Sequence, residues 1–441
     1  MNASDDVRQA DAPRPRHPLR WLVLLITLLL AGGVGLHWLS RPQQLSGLIL
    51  QQAGKALGLM ITAGSADYRL RGRPMLELRD VDARQPGAAV PVLTTQRVRI
   101  DLPWSTIRSR GAQLAIERIE LDAPVLHLAA LQAWLASRPP SDMPLRIPDL
   151  DDGLQVRDGR LDGGDWQIEA IRIHVPELHP GQVLQGSVAG QYRDAGTKVA
   201  TELAVTLSEP SFDTELKATG PLRIEQKTWR MEGHAQLSGP LRMDDGAVQI
   251  APTTFGYNAT IHSSDTRLPL RLGAHGPFGY GDGIVRWGLS SLLLRSDEPD
   301  SLIPDLQSSG SIAFGQRLVL RLHGQLNDWP AAWPALPPPL GNQTAPLPFA
   351  LDYVGKANLG DVASLRLQRE ATTFAARFRL PQVLDWADAP AAGSPLPPLD
   401  GQLDTPELQI AGATLQGVQI TLDDPDISDP SAPAADTATT P

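Results

Sequence analysis

The stretch Trp229-Arg-Met-Glu-Gly-His-Ala-Gln-Leu-Ser-Gly-Pro-Leu-Arg-Met243 alternates between two kinds of residue. Every odd-numbered position is apolar or glycine, and every even-numbered position is polar or proline. Successive side chains of a β-strand point to opposite faces, so the stretch predicts a strand with one apolar and one polar face. A helix would distribute the same residues around its circumference.

The same alternation recurs along most of the chain after about residue 60. Clear examples are 76–78, 98–102, 119–121, 199–207, 255–261, 268–272, 318–322, 349–353, 374–380 and 418–422. Asp158-Gly159 between two such runs is a typical hairpin signal. Only 128–137 suggests a short helix between residues 61 and 422, and parallel strands need long, usually helical crossovers. The sequence therefore predicts a mainly β protein with a long curved sheet that is mainly antiparallel.

Composition excludes several classes of function. The chain has 441 residues, no cysteine and a net charge of −10. The absence of cysteine removes disulfides, zinc–thiolate sites and cysteine nucleophiles. The acidic balance argues against a nucleic-acid partner, because phosphate neutralisation needs a basic surface.

The N-terminus predicts a membrane anchor. Residues 1–18 are polar with arginines near their end, and the following run, 19–39, has no charged side chain between Trp21 and Leu39. About 20 such residues span a bilayer core, and the positive-inside bias places 1–18 in the cytoplasm. A cleaved signal peptide begins in the same way, but this run is longer than a signal core and lacks an Ala-x-Ala site, which favours an uncleaved anchor.

The remainder divides into a β domain, a connector, a second β segment and a tail. Residues 40–330 form the main domain, and 44–60 within it predict an amphipathic helix. Its single lysine favours a cap on the end of the sheet over a helix lying on the membrane surface. Residues 331–348 are a proline-rich connector, 349–422 a C-terminal β segment, and 423–441 a tail too polar to order itself.

The apolar face of such a sheet needs a cover. A second sheet, closure into a barrel, or a curved trough holding acyl chains would each provide one. The small residues Gly233, Ala235 and Gly239 among large ones leave room for a flexible guest, but they also permit strand bending. The alternation alone leaves β-sandwich and trough open.

The order of segments resembles the AsmA-like family of Gram-negative envelope proteins. After the anchor come the stretch Gly54–Ile61, a strand near Leu76–Val81, and Val98–Ile107. The segments Ile116–Leu128, Leu154–Leu161 and Leu399–Gly412 continue the likeness. The resemblance covers most of the chain, although many members are longer.

The resemblance implies a single-pass inner-membrane protein with its bulk in the periplasm. The family is associated with outer-membrane biogenesis and phospholipid movement, and its larger members resemble bridge-like lipid transfer proteins with an apolar trough. The partners implied are phospholipid or related envelope lipid, the inner membrane and other envelope proteins. The candidate groove residues are Trp229, Met231, Leu237, Leu241, Met243, Phe255, Tyr257, Leu318, Leu320 and Leu322.

No motif predicts catalysis, a cofactor or a metal. The nine histidines lack metal-ligand spacing, and the chain has neither a nucleophile elbow nor a phosphate-binding loop. The acidic residues from Asp149 to Asp165 lack the EF-hand order and fit ordinary turns better than a calcium site. The alternative to lipid transfer is an anchored scaffold that binds proteins of an assembly or secretion machine through exposed strand edges.

Overall fold

A computed structural model of the chain describes residues 57–69, 72–105, 116–137, 149–244, 247–263, 266–281, 283–298, 301–330, 345–388, 397–410 and 413–425, with Gly54 and Ile427. The expected cytoplasmic tail 1–18 and anchor 19–39 lie outside this part, as do most of helix 44–60, connector 331–348 and tail 423–441. No helix among the described residues is long and apolar enough to cross a membrane.

The described part is mainly β, as expected. The strands are β1 Met60–Arg69, β2 Met75–Arg84, β3 Leu93–Asp101, β4 Arg118–Asp122, β5 Val125–His127, β6 Leu154–Asp162, β7 Gln167–Val175, β8 Leu184–Arg193, β9 Lys198–Leu207, β10 Asp213–Glu225, β11 Trp229–Asp244, β12 Ala247–Ser263, β13 Thr266–Gly281, β14 Ile284–Arg295, β15 Leu306–Phe314, β16 Leu318–Leu326, β17 Leu347–Gly355, β18 Ala363–Arg369, β19 Thr372–Phe378, β20 Leu399–Ile410 and β21 Ala413–Leu422. Two helices accompany them, α1 Leu128–Ala136 and α2 Leu380–Asp388.

All 21 strands belong to one long curved sheet. Consecutive strands pair antiparallel from β6 to β21, and β1, β2 and β3 do the same. The exception is a parallel step, in which β4 and β5 both lie between β3 and β6 and run parallel to β6. The expected antiparallel sheet is confirmed apart from that step. The alternative of two packed sheets is not found, since every described strand is in the same sheet.

Two expectations about local structure are wrong. Asp158 and Gly159 do not turn between strands but lie inside β6. Met60, expected to end a helix, begins β1 and pairs with Arg84. The helix expected at 128–137 is confirmed as α1.

A line of left-handed residues crosses the first strands of the sheet. Asp80 in β2, Ala123 between β4 and β5, Asp158 in β6 and Ala170 in β7 have φ between 48° and 52°. At Asp158 and Ala170 the register with a neighbouring strand shifts, as at a bulge, whereas β2 keeps its register at Asp80, and in all three strands the side chains change faces there. In β2 the apolar side chains accordingly change from Leu76 and Leu78 to Val81 and Ala83, all buried. Neighbouring strands change together, so the apolar face stays continuous.

A line of glycines crosses the long central strands β11, β13 and β15, which keep the same face on both sides of the glycine. Gly239 in β11, Gly276 in β13 and Gly310 in β15 have φ of 152°, 141° and 144°. Between them, β12 shifts register from Ile250 to Thr253 and β14 shifts from Leu289 to Leu292. A Cβ at Gly276 would collide with the Gly288 carbonyl oxygen. These glycines therefore permit both the unusual φ and the close approach of the strands.

The opposite face carries ion pairs. Arg97 contacts the carboxylates of Glu77, Glu120 and Asp122 at 3.9, 3.5 and 2.6 Å. The Glu120 side chain is only 6% exposed, and Arg118 and Arg157 also approach it. Charges of both signs thus neutralise one another on a partly buried part of the polar face.

We expect Gly276→Ala to lower the free energy of unfolding by about 2 kcal/mol or more, because the added methyl meets backbone and the φ is strained. Gly256→Ala is the matched control, since nothing lies within 4 Å of its Cβ position. Urea unfolding of both variants measures the difference. Equal stability of the two would contradict the close approach described at β13.

We expect Arg97→Ala to cost about 1–3 kcal/mol, because it removes a charged partner from buried Glu120. Arg172→Ala is the control, because its pair with Glu202 is 60% and 65% exposed, and a change under about 0.5 kcal/mol is expected. Thermal and urea unfolding distinguish the two. Indistinguishable variants would show that the Arg97 network adds nothing to stability.

Candidate functional site

The apolar face of the sheet is the candidate site, and all ten predicted residues lie on it. Directly paired residues of neighbouring strands share a face. Leu237 pairs with Phe255, and Leu241 pairs with Ile250. From Ile250 the register continues through Phe278, Trp287 and Ile312 to Leu320 in β16. The structure therefore places Leu318, Leu320 and Leu322 on the same face as β11, about 25 Å away at ~4.8 Å per strand.

This face is incompletely covered. Of the ten residues, only Tyr257 (2% exposed) and Leu241 (8%) are buried, and Met243 is 36% exposed. The other seven are half-buried. Three apolar clusters lie in the described region, and each draws on neighbouring parts of the sheet: β1–β3, β10–β14 with Ile303, and β15–β21 with Trp329. None of these clusters joins distant parts of the sheet to each other.

Three aromatic rings from three neighbouring strands contact one another on this face. Phe255 and Phe278 each meet Trp287 edge-on, with ring centroids 5.8 and 5.9 Å apart. Phe255 and Trp287 belong to β12 and β14, so their contact passes over β13, which opposes Phe255 with Ala274. The small side chain of Ala274 leaves space for it. Within the described part, the buried Trp287 Nε1 has no hydrogen-bond partner.

The Tyr257 side chain links β12 to β10 across the intervening β11. Its hydroxyl donates to the Leu222 carbonyl oxygen at 2.8 Å. Leu222 lies in β10, two strands away, and its partner on the intervening β11 is Gly233. A side chain at Gly233 would collide with the backbone of Asn258 and Ala259. Burial of the ring, with the nearby Glu232 carboxylate, raises the pKa of Tyr257 to about 12.

Shallow depressions occur on the other face. Two of about 320 and 530 Å³ adjoin Gly233. Their charged lining residues, Glu232, Arg271 and Asp297 in one and Arg172, Glu202 and Arg223 in the other, already form ion pairs within or beside these depressions. These depressions are therefore solvated parts of the polar face and do not add to the apolar site.

The acidic stretch forms a small side-chain cluster. Leu150 and Leu178 exchange backbone hydrogen bonds, which places Asp149 beside His179, and the His179 Nδ1–Asp149 Oδ1 distance is 2.5 Å. This hydrogen bond raises the pKa of His179 above its ordinary value. Ligand atoms of Asp149, Asp151 and His179 lie within 4.8 Å of one another. The carboxylates are exposed, and the His–Asp hydrogen bond accounts for the arrangement.

Among the residues of the face that sequence reasoning missed are Ile250, Phe278, Trp287 and Ile312. The segment Ile284–Arg295 alternates as Val285, Trp287 and Leu289, then as Leu292 and Leu294. The register shift between Leu289 and Leu292 interrupts the period of two. The alternation of Val285, Trp287 and Leu289 before this shift is the sequence signal that could have identified Trp287.

Comparison with known protein families, with curated proteins and with solved structures finds no match to this chain. Membership of the AsmA-like family therefore stays a prediction.

We expect the stability of the protein to fall between pH 10 and 12 partly because of Tyr257. The unfolded tyrosine ionises near pH 10, whereas the folded one keeps its proton to about pH 12. Folding is therefore favoured fully below pH 10, and this contribution, on the order of 2 kcal/mol, is lost as pH rises to 12. Tyr257→Phe removes that part of the slope and costs about 1 kcal/mol at pH 7 for the lost hydrogen bond. Urea unfolding at pH 7, 9.5 and 11.5 measures both effects, and an unchanged slope in the variant would refute this assignment.

Proposed function

We propose that this chain is an inner-membrane-anchored periplasmic protein of the AsmA-like kind that takes part in outer-membrane biogenesis. Its sheet forms an apolar trough that shelters phospholipid or a related envelope lipid and lets it pass along the strands. The continuous, half-buried apolar face across a single sheet is the observation that carries the proposal.

The exposure of the face supports a guest more than a finished core. Large side chains such as Leu237 and Phe255 remain partly exposed in the middle of the sheet, where β11 to β13 have 16 or 17 residues each. Side chains in a completed core are close-packed. Each methylene of a guest that leaves water contributes about 0.8 kcal/mol, so an acyl chain of about 16 carbons gains roughly 13 kcal/mol on complete burial.

Uniformity along the sheet supports movement in preference to tight binding. Aliphatic and aromatic side chains recur at each strand from β1 to β21, and neighbouring strands are ~4.8 Å apart. A lipid that moves by one strand exchanges one apolar surface for a similar one. Such movement is passive and needs no nucleotide, in keeping with the missing phosphate-binding motif.

A scaffold that binds proteins is the second candidate, and β21 favours it. This strand, Ala413–Leu422, has no charged residue and no proline. Within the described residues it pairs with β20 alone, so its outer edge presents backbone donors and acceptors. Natural edges usually carry charge or proline that prevents strand addition, and their absence suits an added strand from a partner.

We expect a photo-crosslinking residue at position 237 to capture phospholipid in living cells and one at position 236 to capture several-fold less. Leu237 is on the apolar face, and its neighbour Gln236 is exposed on the polar face. Mass spectrometry of the purified adducts identifies the lipid. Leu237→Asp should reduce capture by a second probe at position 320 if lipid travels along the face.

Equal capture at positions 236 and 237, or no lipid at either, would overturn the trough. Protein adducts from probes in β21, with no lipid adduct at 237, would instead support the scaffold.

A further inference from the structure

One end of the first three strands exposes several large apolar side chains. We call them the terminal patch: Leu57 (40% exposed), Met60 (51%), Val90 (52%) and Leu135 (43%). Met60 begins β1, opposite the end of β2, and Val90 precedes β3, which begins at the same end. The terminal patch thus lies where β1 begins, β2 ends and β3 begins.

Helix α1 lies across this end. Trp134 Nε1 donates to the Leu57 carbonyl oxygen at 2.9 Å, and Gln85, just after β2, donates to Ser137 Oγ at 2.9 Å. Nine residues of helix are about 13 Å long, and three strand spacings are about 14 Å. The helix therefore reaches from the end of β5 to the start of β1.

The composition of α1 does not match its exposure. Its sequence, Leu-Ala-Ala-Leu-Gln-Ala-Trp-Leu-Ala, has no charged residue, and none of the nine is buried. Leu128, Leu131 and Trp134 are half-buried, but Leu135 on the outer side is exposed, and a patch of exposed apolar side chains marks an interaction surface. The described residues leave Leu135 and the patch around it open, so the structure calls for an apolar cover.

The membrane surface fits this cover best. The uncharged run ending at Leu39 precedes Gly54 by a segment that reaches about 20 Å as helix and about 50 Å fully extended. The patch is therefore held close to the bilayer that this run would enter. Tryptophan is enriched at membrane interfaces.

We propose that α1 and the terminal patch insert into the interface of the phospholipid bilayer. This inference rests on the proposed function and adds the place where lipid reaches the trough. Ile61, Ala83 and Leu93 form the first row of the apolar face at this end. Docking of α1 places that row beside the acyl chains, so lipid moves onto β1–β3 without crossing water.

The absence of cysteine makes the test direct. Leu135→Cys in the full chain is labelled with an environment-sensitive fluorophore and reconstituted into phosphatidylcholine vesicles, with and without brominated acyl chains. Leu415→Cys is the matched control, because Leu415 is 46% exposed but lies in β21 at the other end of the sheet. We expect blue-shifted emission and at least twofold quenching by brominated lipid at position 135, and neither at 415.

Three outcomes overturn the docking proposal. They are unshifted emission at 135, quenching equal to that at 415, and a blue shift without quenching, which would mean that protein covers the patch. The lipid crosslink at position 237 is scored separately. Quenching at 135 without lipid at 237 retains docking and removes the trough, and the reverse retains the trough and removes docking.

Discussion

The continuity of one apolar face across the whole sheet is the constraint on which the rest of the structure depends. A shift of one residue in any strand would turn its apolar side chains outward. The chain keeps the face intact by changing neighbouring strands together. In the first strands the change occurs at Asp80, Asp158 and Ala170, and in the central strands β12 and β14 change faces beside Gly239, Gly276 and Gly310. The bulges bend the sheet without interrupting its apolar surface.

The two faces have different chemistry, and the difference restricts what the protein can do. The polar face near β2–β6 neutralises its own charges around Arg97, which leaves little for a charged ligand to recognise. The apolar face offers half-buried aliphatic and aromatic groups over many strands. A hydrocarbon guest matches such a surface, and this is why we propose the function for that face.

The alternation at Trp229–Met243 was sufficient to predict β11, its apolar face and the antiparallel sheet. Prediction from the sequence failed where the backbone conformation interrupts the two-residue alternation of side chains. Asp158-Gly159 was interpreted as a hairpin turn because Asp-Gly favours left-handed φ, and Asp158 does adopt it, but inside β6 as a bulge. Trp287 was missed because β14 changes faces at Leu289–Leu292. The bond from Tyr257 to Leu222 depends on strands two apart, which periodicity does not report.

The topology also has a consequence for assembly. Almost every strand pairs with the strands immediately before and after it, and no described pairing joins β1 to β21. Such a molecule resembles a stack of repeats, in which stability is a sum of nearest-neighbour terms. Contacts that are local in sequence form fast, so strands can be added in order along the chain. Ordered addition of strands would pause at β4–β6, because the parallel pairing there requires a longer connection.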